Sequence, residues 1–135
     1  FSPFGSPIDA FVTSQATILD FENRVRLAGI AANEPFLFYT GKGETNFTGA
    51  MAWSLKGFTV ALHKISIKSL EFHNRRGDFE KWSEKSLRDK ALTEQLKKVR
   101  LSKVRGEALR KSIVGLAKER FDELSKQMQA TTKQF

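Results

Sequence analysis

The apolar residues of this chain change their period at Ser54. Upstream, Phe36, Phe38 and Thr40 alternate with Leu37 and Tyr39, and Phe47, Gly49, Met51 and Trp53 share one side of a second run. A period of two is that of a strand. Downstream, Leu55, Phe58, Leu62 and Ile65 recur at three and four, the spacing of one helical face. The two β-prone runs flank Gly41-Lys42-Gly43-Glu44 and so read as an antiparallel hairpin near 36–53. An isolated hairpin is marginal in water, so the helix that Ser54 would cap is its expected cover.

The rest of the chain is helical in pattern. Gly77 is placed to end one helix, whose buried candidates are Ile67, Leu70 and His73 or Phe72, and Asp78 to cap the next. A helix over 78–87 would present Phe79 and Trp82 on one side. Asp89 would cap a further helix carrying Leu92, Leu96 and Val99. The last helix is expected from about Gly106 to Gln129, with Leu109, Ile113, Leu116, Ala117, Leu124 and Met128 on one face and Phe121 at its edge. Near the start, Ser6-Pro7 reads as a cap and first helical position, and Ile18, Phe21, Val25 and Ala28 share a helical face. Phe11-Val12-Thr13 is open between helix and strand. The expected fold class is α+β, a helix-rich single domain over 1–135 with a small antiparallel β-sheet packed on helices. At 135 residues there is chain for one core. Because it opens at Phe1 without Met, it is expected to be part of a slightly longer protein.

Charge is sorted along the chain. Residues 1–55 carry three Lys/Arg against five Asp/Glu, and the remainder carries twenty against ten. The part after residue 55 therefore carries +10 and the part before it −2, and positive charge sorted in this way points to a polyanionic partner. The densest stretch, Lys97 to Lys111, sets Lys97, Lys98, Arg100, Lys103, Arg105, Arg110 and Lys111 against Glu107 alone. Phosphate contacts of this kind carry salt-dependent affinity and little sequence information.

Rings lie where the neutral and basic parts meet. Tyr39, Phe47, Trp53, Phe72, Phe79 and Trp82 are candidates for stacking on bases, although Phe72 and Phe79, at helical spacing beside Leu70 and Trp82, are also core candidates. Lys42, Lys56, Arg75, Arg76, Lys81, Arg88 and Lys90 are candidates for phosphate. Stacking requires unpaired bases, so rings interleaved with cations favour single strands over duplex. Duplex readers more often carry a basic recognition helix with fewer rings.

Several classes drop out. There is no cysteine, which removes disulfides, thiolate catalysis and Cys-based metal sites. His63 and His73 lack ligand spacing. The Gly41-Lys42-Gly43 turn does not fit the phosphate-binding loop of nucleotide hydrolases. Arg76-Gly77-Asp78 spells an adhesion tripeptide that a helix break explains. Glu71, Asp78, Glu80 and Glu84 near His73 are accounted for by local ion pairs, so a binding protein without cofactor is expected, not an enzyme. No run approaches the length of a membrane span and no leader is evident, so a cytoplasmic location is expected. The alternative from another class is a scaffold that docks a protein partner through the long C-terminal helix.

Three blocks carry a resemblance: Phe36-Leu37-Phe38-Tyr39-Thr40-Gly41-Lys42-Gly43, Phe47-Thr48-Gly49 with Ser54-Leu55, and Ser69-Leu70-Glu71-Phe72-His73-Asn74-Arg75-Arg76-Gly77-Asp78-Phe79-Glu80-Lys81-Trp82. In these the chain resembles the ThermoDBP family of archaeal single-stranded DNA-binding proteins. The resemblance implies sequence-independent binding of single-stranded DNA in replication and repair, by a fold other than the OB barrel and in a thermophilic setting. It implies a cleft where bases meet apolar rings and phosphates meet basic side chains. It also implies a homodimer or higher homo-oligomer through the C-terminal region, with RNA as the alternative ligand.

Overall fold

The computed structural model describes residues 31–133, with side chains as far as residue 127. The expected lead-in and first helix fall outside the described residues, as does the side chain of Met128. The hairpin is wider than the alternation alone indicates: β1 runs Ala31–Tyr39 and β2 runs Phe47–Ser54. They pair antiparallel, with Phe36 opposite Ala52, Leu37 opposite Met51 and Tyr39 opposite Phe47. Between the last two pairs one residue of β1, Phe38, faces three of β2, Thr48 to Ala50, and Gly49 absorbs this irregularity at φ 88°. A short 3-10 turn at Glu44–Asn46 closes the hairpin.

Five helices follow: α1 (Leu55–Lys64), α2 (Ile67–Arg76), α3 (Asp78–Lys85), α4 (Lys90–Ser102) and α5 (Gly106–Lys133). Side-chain oxygens start three of them. Ser54 accepts from Gly57 N–H at 3.0 Å, Ser66 from Ser69 N–H at 3.1 Å and Asp89 from Leu92 N–H at 3.0 Å. Gly77, at φ 72°, ends α2 in the left-handed conformation and also stands at the N-cap position of α3. Asp78 is thus the first helical residue, not the cap expected of it, and its carboxylate is free to bond His73 instead.

The inner face of the hairpin and α1 to α5 enclose one Phe-rich core. Phe36 and Phe38, alternate residues of β1, meet Phe58 of α1 and Phe79 and Trp82 of α3. Ring centroids lie 5.2 Å apart for Phe36–Phe79 and 5.1 Å for Phe58–Trp82. Helix α5 packs on α1, α2 and α4 and buries Leu109, Ile113, Ala117 and Leu124. Arg110 Nη1 donates to the carbonyls of Leu62 and Ile65, each at 2.7 Å, and so closes the C-terminal end of α1. The architecture is a helix-rich α+β domain with a two-stranded sheet, not a barrel. Among the described residues no helix is long and apolar enough to cross a membrane.

Candidate nucleic-acid interface

The outer face of the hairpin is apolar and open. Leu37 is 37% exposed, Phe47 40%, Met51 48% and Trp53 60%. These are alternate residues of the two strands, so the face follows directly from the pleat. Tyr39 extends it: its ring centroid lies 5.3 Å from that of Phe47, its cross-strand partner. Exposed apolar residues grouped on one face of the sheet make it a candidate contact surface.

Helix α2 fixes the Tyr39 end of that face. Tyr39 N–H donates to His73 Nε2 at 2.8 Å, and Ser69 Oγ donates to the Tyr39 carbonyl at 2.7 Å. Because Nε2 accepts, the ring proton of His73 sits on Nδ1, which donates to Asp78 Oδ2 at 2.8 Å. Burial holds the pKa of His73 below its ordinary value, and the Arg76 charge acts the same way. The hydrogen bond and charge of Asp78 oppose them. The sign follows: neutral His73 is what the fold holds, so its contribution is complete above about pH 6.5 and is lost as pH falls through the lowered folded value. The ring signals of His73, followed by NMR from neutral pH downward, are expected to titrate below that of a free histidine. Titration at or above it would contradict the hydrogen-bond arrangement.

Between the sheet and α2 lies an open cavity of about 380 Å³ lined by Tyr39, Lys42, Phe72, His73, Arg76 and Asp78, among others. The turn is ordered around Lys42: Asn46 Nδ2 donates to the Lys42 carbonyl at 2.6 Å and Thr40 N–H to the Asn46 carbonyl at 2.9 Å. The Arg76 guanidinium lies 4.8 Å from the Phe72 ring centroid, a cation–π arrangement, and its Nε is 3.5 Å from Asp78 Oδ2. Lys42 and Arg76 are matched in number by Glu44 and Asp78 on the lining. Rings with balanced polar groups suit a base better than a phosphate.

The thirteen candidate residues do not form one cleft. Tyr39, Lys42, Phe72 and Arg76 share this cavity, with Phe47 beside Tyr39. Trp53 and Lys56 stand at the far end of the hairpin, where Lys56, Lys64 and Met51 line a second depression. Arg75 faces a third, with Lys103 and Arg105. Lys81, Arg88 and Lys90 are exposed and line none of the three. Phe79 and Trp82 are corrections: both are buried in the core, and Trp82 Nε1 donates to the Glu34 carbonyl at 2.7 Å, so neither ring is open to a base. Phe72 is half-buried and keeps access.

Sequence reasoning passed over Leu37, Met51, Lys103 and Arg105 as site residues. The alternation had placed Met51 beside Trp53, and Lys103 and Arg105 belonged to the densest basic stretch. Within that stretch Arg100 pairs with Glu80 and Arg110 closes α1, so two of its cations serve the fold. Among the described residues no three His, Asp or Glu side chains come together to hold a metal ion. No protein-family model, no curated protein and no solved structure matches the chain.

Proposed function

We infer that the chain binds single-stranded nucleic acid, with DNA as the first ligand, without sequence preference and without catalysis. Bases stack on the outer hairpin face at Tyr39, Phe47 and Trp53 and on Phe72 in the charge-balanced cavity of Lys42 and Arg76, and phosphates meet Lys56 and Arg75. The observation that carries this is the exposed ring-bearing sheet face, borne by a chain of net charge +8. The resemblance in the hairpin and α2–α3 blocks points the same way. Leu37 and Met51, aliphatic and exposed, favour a protein partner on the same face as the second reading.

Salt and tryptophan fluorescence separate the two. Of the two tryptophans only Trp53 is exposed, so quenching reports the sheet face. In fluorescence anisotropy, mixed-sequence single-stranded DNA is expected to bind more tightly than its duplex, with log affinity falling linearly in log salt and Trp53 quenched. Trp53→Ala or Phe47→Ala is expected to cost about 1–3 kcal/mol of binding for each base unstacked. Absence of binding to either form at low salt would remove the nucleic-acid reading, and salt-indifferent docking of a protein would replace it. Single-stranded RNA as competitor decides between the two nucleic acids.

A further inference from the structure

The last turn of α2 carries two faces. Phe72 and Arg76 line the cavity beside the sheet, while Asn74 and Arg75, about 100° per residue around the helix, line a different one with Lys103 and Arg105 from the α4–α5 junction. This second cavity measures about 360 Å³. Its charges are unbalanced. Arg75, Lys103 and Arg105 are exposed and have no acidic partner among the described residues. Arg100, on the same lining, is held by both carboxylate oxygens of Glu80. The lining carboxylate, Glu71, is already engaged: its Oε2 accepts from Gly106 N–H at 2.9 Å, at the first residue of α5.

A second observation is independent of charge. Asn74 is 8% exposed, yet its side-chain amide has no hydrogen-bond partner among the described residues. Buried amides are nearly always paired, because leaving one unpaired costs on the order of 1–3 kcal/mol. Here the amide lines a cavity where three cations without ion pairs outnumber the one unpaired carboxylate, Glu71. A ligand rich in acceptors and negative charge supplies what both lack, and a phosphate group has that chemistry.

The geometry points to a phosphate-binding site formed by Asn74, Arg75, Lys103 and Arg105, occupied by a backbone phosphate of a strand that continues past the sheet. Arg76 and Arg75, adjacent in sequence and facing the two cavities, pass the strand around the end of α2. The strand as the source of the phosphate rests on the single-strand reading above; the phosphate site itself does not.

Two titrations on the whole chain test it. With inorganic phosphate, the Asn74 Nδ2 protons and the amides of 103–105 are expected to shift in NMR spectra, and Asn74→Leu and Arg105→Glu are expected to abolish the response. Asn74→Leu should hold or raise the melting temperature, since it removes an unpaired buried amide, so loss of binding cannot be ascribed to unfolding. With oligothymidylates, Arg105→Glu is expected to weaken a long oligomer roughly tenfold, and to lower its salt slope by about 0.7 for one lost phosphate, while sparing a short oligomer confined to the sheet. No shift at Asn74 or 103–105 with phosphate or oligomer overturns the site. Phosphate shifts with unchanged long-oligomer affinity in Arg105→Glu overturn the strand as its source and leave free phosphate. Phosphate shifts in a protein that binds no oligomer uphold the site and remove the single-strand reading instead.

Discussion

Trp82→Ala is expected to destabilise the domain by about 3–5 kcal/mol, whereas Trp53→Ala stays within about 0.5 kcal/mol of the parent. The two tryptophans differ in what surrounds them. Trp82 packs on Phe36 and Phe58, with ring centroids 5.8 and 5.1 Å away, and its Nε1 ties α3 to the start of β1 through the Glu34 carbonyl. Removing it opens a cavity between sheet and helices and also breaks that tie. Nearby, Asn33 N–H donates to the Ser86 carbonyl at 3.0 Å, so the same helix end holds two points of the strand. Trp53 has 60% of its surface in water and little to lose on truncation. Urea unfolding of each variant checks this: the midpoint of Trp82→Ala should fall sharply, that of Trp53→Ala hardly at all. Binding should show the reverse order once Trp82→Ala is assayed under conditions where it is folded. A Trp82→Ala protein as stable as the parent would mean that this ring is not part of the core, and would restore it as a stacking group.

The contrast also shows where sequence stops being informative. Alternation placed Phe47, Met51 and Trp53 on one face, because strand geometry alone decides that. Capping chemistry placed the boundaries at Ser54, Gly77 and Asp89, because an Ncap oxygen or a left-handed glycine acts within a few residues. For Trp82, periodicity identified the apolar side of α3 but not what it meets. Its partner is a strand carbonyl 48 residues earlier, and only the tertiary fold brings them together. The same limit hid the site at Asn74. Arg75 and Lys103 are far apart in sequence, and Lys103 occupies a left-handed conformation, φ 61°, that a lysine's identity does not announce. Charge counting found the basic stretch, but not that Arg100 and Arg110 within it are spent on Glu80 and on the end of α1.

Asp89→Ala is expected to cost about 3 kcal/mol, the lower end for breaking a buried ion pair. Asp89 Oδ1 accepts from Leu92 N–H at 3.0 Å at the start of α4, while Oδ2 accepts from Arg120 Nε of α5 at 2.8 Å. Its backbone joins α3 as well: Asp89 N–H donates to the Ser83 carbonyl at 3.0 Å and Ser83 Oγ donates to the Asp89 carbonyl at 3.2 Å. One carboxylate therefore fastens the α3–α4 junction to the long helix. Alanine removes the cap, worth about 1 kcal/mol, and leaves Arg120 with Glu123 alone, at 3.1 Å and mostly exposed. Because Arg120 is 23% exposed, water recovers part of the loss, which places the expectation at the low end of the range. Asp89→Asn separates the two contributions, since asparagine caps as well as aspartate but carries no charge. Equal losses for the two variants would assign the effect to the ion pair; a loss in Asp89→Ala alone would assign it to the cap. A loss under about 1 kcal/mol in Asp89→Ala would show that α5 is held by its apolar face without the Arg120 bridge.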